Sequence, residues 1–133
     1  MTAALHMSGV VKRYGRLRAL DGLDLTVPKG SVFGLVGSNG AGKTTAMAFT
    51  LGLLAPHAGT IDVLGDGPFS ADRHVGRVSL LPQDSRLPPH ACVEELLAFY
   101  GRLQGLNDHD LRRSIDELLG WVHLQDRRRS AVR

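Results

Sequence analysis

The sequence predicts an α/β fold with an antiparallel β arm ahead of it and a helical part behind it. Three observations carry that prediction. A short apolar run, Val32 to Val36, is β-branched at both ends and leads through a glycine-rich loop into helix formers that start at Lys43. Ahead of it, two segments alternate apolar and polar residues. Beyond Cys92, apolar residues recur at three- and four-residue steps, the spacing of one helical face.

Taken in order, residues 5–11 alternate weakly and read as an edge strand, and Lys12-Arg13-Tyr14-Gly15-Arg16 as a polar turn. Leu23 to Val27 alternates as a half-buried strand does. Pro28-Lys29-Gly30 is a turn into the 32–36 strand. The helix from Lys43 should end near Leu53-Leu54, because Pro56 forbids continuation. Gly59 to Gly65 reads as another strand, residues 65–74 as a loop, Val75 to Leu81 as a further strand cut by Pro82, and residues 84–91 as a loop. Val93, Leu96, Leu97, Tyr100 and Leu103 share a helical face that Gly105 ends, with Glu94 and Glu95 in the first turn, where the helix dipole favours them. Asn107 or Asp108 should cap a second helix with a stripe of Leu111, Ile115, Leu118, Leu119 and Val122. Residues 127–133 read as a polar, frayed end. The predicted layout is a β-rich core over 1–83 and a helical part over 84–133.

Bulk properties exclude several classes. The chain has 133 residues, enough for one domain with a core, and its 43% hydrophobic content is ordinary for a globular protein. No apolar run approaches the ~20 residues of a membrane span, and the first residues lack a basic-then-apolar secretory pattern. One cysteine, Cys92, excludes an internal disulfide and a cysteine metal cluster, which fits a reducing compartment. The net charge of +3 is too mild and interspersed to argue for nucleic acid. The six histidines (His6, His57, His74, His90, His109, His123) show no metal-ligand pairing and read as surface or loop residues. Cys92 reads as buried at the head of an apolar helix, and Trp121 as core or interface.

The loop Gly37-Ser38-Asn39-Gly40-Ala41-Gly42-Lys43-Thr44-Thr45 has the pattern G-x-x-x-x-G-K-T between a predicted strand and a helix, which is the phosphate-binding P-loop in its required context. Glycines let successive backbone N–H groups point into one concavity, and the positive end of the helix dipole adds to it. The Lys43 ammonium suits β- and γ-phosphate oxygens, the Thr44 hydroxyl suits Mg²⁺, and Thr45 is placed toward the α-phosphate. Asp62-Val63-Leu64-Gly65 matches the D-x-x-G of GTPases. It lies in a segment that reads as β arm, however, and no Asn-Lys-x-Asp base reader follows, which argues against a GTPase.

Gly30 through Gly65, with the P-loop and the later Gly52-Leu53-Leu54-Ala55-Pro56-His57-Ala58-Gly59-Thr60-Ile61, resembles an ATP-binding cassette (ABC) domain. Leu81-Pro82-Gln83 looks like that family's Q-loop, and Glu94 to Tyr100 like the start of its helical subdomain. Tyr14 falls where the family places an aromatic that stacks on adenine. The resemblance implies a P-loop NTPase fold, closest to ATPase subunits of bacterial drug-type and ABC-2-type exporters. It implies ATP and Mg²⁺ as ligands, held by Tyr14, residues 37–45 and Gln83. Thr44 and Gln83 would be on the metal; Gln83 would also position water and Lys43 supply charge to the phosphates. The implied partners are a transmembrane permease and a second cassette, with no nucleic acid, at the cytoplasmic face of a membrane. Residues 84–125 would meet the permease. Taken alone, Tyr14 equally suits an ordinary strand aromatic, and Gln83 a surface turn.

Several family features are missing from the 133 residues. There is no Leu-Ser-Gly-Gly-Gln signature, no apolar run ending in Asp-Glu to supply a catalytic base, and no downstream switch histidine. Ser38 stands where a proline is common. The expectation is therefore a chain truncated before the signature, an incomplete catalytic set, little turnover, and an isolated chain that is marginally stable or aggregation-prone because its sheet lacks covering strands. Two other functions compete: a non-catalytic ATP-binding fragment, and a soluble cassette ATPase of translation or DNA repair.

Overall fold

The structure is a computed structural model that describes residues 2–84 and 87–132, and it divides into two compact units, residues 1–79 and 80–133. In the first unit, β1 (Ala3–Tyr14) and β2 (Leu17–Pro28) form a long antiparallel hairpin, and β3 (Ala58–Val63) pairs antiparallel with the other side of β1. The strand order is β2-β1-β3. β1 is thus the central strand of this sheet, not the edge strand expected. Leu5 faces Val27 on one side and Val63 on the other, while side chains stand off the faces of the sheet, where those of β1 meet α1. Met7 and Val10 are accordingly fully buried. They join Leu20, Ile61 and Val63 from the sheet and Ala46 and Phe49 from α1 (Lys43–Thr50) in one core.

Two expected strands do not form. Residues 32–36 have no regular structure, and Val32 and Val36 are 105% and 93% exposed; only Leu35 leans on the core. A strand needs a backbone partner, and among the described residues no strand lies beside this run, so its β-branched composition is not expressed. Residues 75–81 are likewise not a strand. A short helix, α2 (Ala71–His74), occupies the end of the expected 65–74 loop, and its turn continues through Val75, Arg77 and Val78. The Arg77 and Val78 amides both donate to the His74 carbonyl oxygen, at 3.0 and 3.1 Å, which uses them for a helix end rather than a ladder.

The second unit holds α3 (Val93–Leu103), α4 (Asp108–Trp121) and a 3-10 turn (Gln125–Arg127). Leu111, Ile115 and Leu119 of α4 pack against Val93, Leu97 and Ala98 of α3. Leu118 and Val122 of the expected stripe are exposed, and Trp121 is 76% exposed and outside this core. Asn107 is the N-cap of α4; its side chain accepts from the His109 and Asp110 amides at 3.1 and 2.9 Å. The expected loop over 84–91 includes residues 85 and 86, and the expected frayed end includes Arg133, all outside the described residues. The rest of that end is ordered against α3. The Val93 and Glu94 amides, which have no partner within their own helix, donate to the carbonyl oxygens of Ser130 and Arg128 at 3.1 and 3.0 Å. Cys92 is the N-cap and only half-buried, not the buried head of a helix. Its thiol donates to the Arg128 carbonyl at 3.1 Å and its amide to Glu95 Oε2 at 3.1 Å. The Arg128 guanidinium pairs with Asp116 on α4.

Candidate nucleotide-binding site

The P-loop sits between an unpaired apolar run and α1, and its curvature comes from glycine. Gly40 and Gly42 both have φ of 85°, in the left-handed region that other residues enter only with strain. At Gly42 there is also no room. A Cβ there would lie 2.5 Å from the Ala19 carbonyl oxygen and 2.6 Å from Leu20 Cδ2, so β2 presses directly on the loop. The Ala41 amide closes the turn on the Ser38 carbonyl at 3.1 Å, and the Ala46 amide makes the first helical bond to Gly42 at 2.8 Å.

Lys43 folds back over this loop. Its Nζ donates to the Gly37 carbonyl oxygen at 2.6 Å and to that of Ser38 at 2.8 Å. An ammonium has three N–H bonds, so one direction remains beyond these two. No acidic residue lies in the first turn of α1 and no side chain caps it, which leaves its first N–H groups and positive dipole end without a local anion. Gly37, Ser38, Asn39, Gly40, Ala41 and Thr44 are exposed, and Gly42, Lys43 and Thr45 half-buried. The residues present therefore fit an anionic, phosphate-bearing ligand: a curved backbone with no Cβ at its tightest point, an ammonium held across it, and an accessible hydroxyl at Thr44.

Tyr14 ends β1 at the tip of the hairpin, opposite Leu17, and is 47% exposed; Lys12 Nζ lies 5.7 Å from its ring centroid. Gln83 is an exposed turn residue of the second unit, beside Asp84. Within the first unit the structure brings together residues 37–45. Asp62 is used structurally: its Oδ1 accepts from the Gly67 amide at 2.7 Å in the turn after β3.

Sequence reasoning missed two side chains. His74, expected at the surface or in a loop, is fully buried. Its Nε2 bonds the Val63 carbonyl oxygen at 3.1 Å, its Nδ1 accepts from the Ser70 amide at 3.0 Å, and its ring stacks on Phe69 with centroids 5.3 Å apart. The same Nδ1 also lies 3.0 Å from the Ser70 carbonyl oxygen, so both ring nitrogens are engaged by backbone. Phe69 in turn covers Gly52, just past α1. The second is Lys12, whose only sequence signal was its place two residues before the aromatic, on the same strand face.

A glycine-curved loop at a helix N-terminus, spanned by its own lysine and backed by a β sheet, defines a nucleotide-binding domain of the P-loop class. The family model for ABC transporters matches residues 20–133, and the chain belongs to that family. It is 39% identical over 133 residues to Nod factor export ATP-binding protein I of Ralstonia nicotianae, a match covering 99% of this chain and 41% of that protein. It is 41% identical over 131 residues to daunorubicin resistance ATP-binding protein DrrA3 of Streptomyces coeruleorubidus, covering 98% of this chain and 42% of that one. A solved structure of the ATP-binding subunit of an ABC transporter superposes with a TM-score of 0.81 at 26% identity, over 96% of this chain and 54% of that one. The chain thus spans about two-fifths of the length of the curated relatives it matches.

Proposed function

We propose that these residues bind Mg-ATP as the N-terminal part of the ATP-binding subunit of an exporter. The observation that carries this reading is the Lys43 ammonium fixed across the loop by the Gly37 and Ser38 carbonyls, above the uncapped start of α1. In this reading Gly37 to Gly42 supply backbone N–H groups to the phosphates, Lys43 turns its remaining N–H toward them, and Thr45 lies on the α-phosphate side. Thr44 would be on Mg²⁺, the family resemblance implies a metal role for Gln83 of the second unit as well, and Tyr14 would stack on the base. Bound Mg-ATP would supply a cleavable phosphoanhydride whose charge the metal partly neutralises. Gln83 would place water for attack on the terminal phosphate. A permease, met by residues 84–125, and a second cassette at the cytoplasmic face of a membrane are the partners this reading entails. Among the described residues no helix is long and apolar enough to cross a membrane. The matched relatives carry unrelated cargoes in their names, so no cargo is assigned.

Calorimetric titration with ATP, with and without Mg²⁺, tests the reading. The chain should bind ATP more tightly with the metal, and Thr44→Val should keep binding but lose most of that gain. Absence of ATP binding by the unaltered chain overturns it.

A further inference from the structure

We propose that Lys12 is a positioning residue for the nucleotide base: it backs one face of the Tyr14 ring and leaves the other face for the purine. The inference rests on the Mg-ATP reading above. It starts from how tightly Lys12 is held. Its Nζ donates to the Ala55 carbonyl oxygen at 2.7 Å while lying 5.7 Å from the Tyr14 ring centroid, within cation–π range. The segment that carries Ala55 is itself fastened to β1. The His57 amide donates to the Val11 carbonyl oxygen at 2.8 Å, and the Arg13 amide donates to His57 Nδ1 at 3.3 Å. Three consecutive residues of β1, Val11, Lys12 and Arg13, therefore grip residues 55–57. The ammonium is a fixed point rather than a mobile surface charge.

Residues 55–57 follow the end of α1, and the other end of α1 carries the phosphate loop. Lys12 thereby refers the ring at the hairpin tip to the same helix that orients the loop. The half-exposure of Tyr14 matches a ring with one side occupied and one side open. A ring already held when the base arrives loses less rotamer freedom on binding, which is worth about threefold to tenfold in affinity.

The test uses the full chain and two probes, Mg-ATP and magnesium tripolyphosphate, which has the phosphates and no base. Lys12→Met keeps the aliphatic stem and removes the charge. It should weaken ATP about threefold to tenfold and leave tripolyphosphate unchanged, while Lys12→Arg should retain ATP affinity. In a Tyr14→Ala background, Lys12→Met should have no further effect on ATP. Equal weakening of both probes by Lys12→Met would mean that the lysine only steadies the fold, and no weakening of ATP would mean that the contact is idle; either result overturns the proposal. Should Lys12→Met fail to fold, Lys12→Arg and Lys12→Gln compared for ATP-to-tripolyphosphate ratio decide it by the same criterion. If Tyr14→Ala itself leaves ATP binding unchanged, the base seat is wrong and the role of Lys12 falls with it.

Discussion

The Lys43 ammonium lies 2.6 Å from the Gly37 carbonyl oxygen, so the first glycine of the loop and the lysine that ends its pattern are bonded across the loop they delimit. The contact fixes the lysine before any ligand arrives. Lys43→Met should therefore cost more than one phosphate contact, because the charge and the brace leave together. A charged hydrogen bond is worth about 1.5–3 kcal/mol, which predicts an ATP affinity lower by about ten- to a hundredfold, read by calorimetry.

Gly42 and Gly40 share a φ of 85° but differ in surroundings. Gly40→Ala meets nothing within 4 Å, so it should cost only the left-handed backbone, about 1–2 kcal/mol. Gly42→Ala adds a clash with the Ala19 carbonyl and Leu20 and should cost about 2–4 kcal/mol. Urea denaturation of the two variants side by side checks the difference. Equal losses would mean that β2 does not press on the loop.

Replacing His74 by Ala removes a buried ring, takes the side-chain partner from the Ser70 amide and leaves the Val63 carbonyl with its bond from the Asp66 amide. The expected loss is about 2–4 kcal/mol in the first unit, from a cavity plus the amide's lost partner. Hydrogen exchange should show α1 and β3 opening more readily, with α3 and α4 unchanged.

The Asp66 carboxyl is held below its ordinary value of 3.8, first by the hydrogen bond from Arg77; desolvation opposes this, and nearby positive charge adds smaller lowering effects. A depressed carboxylate stabilises the fold above its unfolded value, and the contribution is lost as pH falls below 3.8 through the folded value. An NMR titration of the Asp66 carboxyl carbon should show a midpoint below 3.8, moving back toward it in Arg77→Gln. An unchanged midpoint in that variant would exclude Arg77 as the cause.

Val32 and Val36 stand almost wholly in solvent. Val32→Thr with Val36→Thr should lower binding of an apolar dye and slow aggregation of this chain with little change in denaturation midpoint, because neither side chain is in the core. A large loss of stability would instead show that this run is packed in solution.

Local spacing carried much of the fold. The helices α3 and α4, the cap at Asn107, the start of α1 at Lys43 and the turn-bounded strand near Ile61 follow from periodicity, capping and glycine or proline punctuation. The P-loop was legible for the same reason: its chemistry depends on residues a few positions apart. Val32 to Val36 and Val75 to Leu81 were read as strands from composition, yet a strand is a pairing between distant segments, and composition does not say whether a partner is present. Leu118 and Val122 fit the helical stripe of α4, but which part of a stripe is covered depends on the neighbour it meets.

The sequence by itself determined the family, the glycine loop that leads into α1 at Lys43, and the order of β arm followed by helices. Each depends on interactions within about one helical turn or one strand alternation, which a linear pattern encodes. Only the tertiary structure decided that β1 is central, that Gly42 lies against Ala19 and Leu20, that His74 is buried beneath β3, and that the end of the chain near Ser130 caps α3. It alone decided that Lys12 is tied to Ala55 beside Tyr14. These contacts join residues far apart in the chain, and such contacts are specified by how surfaces close on one another and by where backbone groups must find partners once water is excluded.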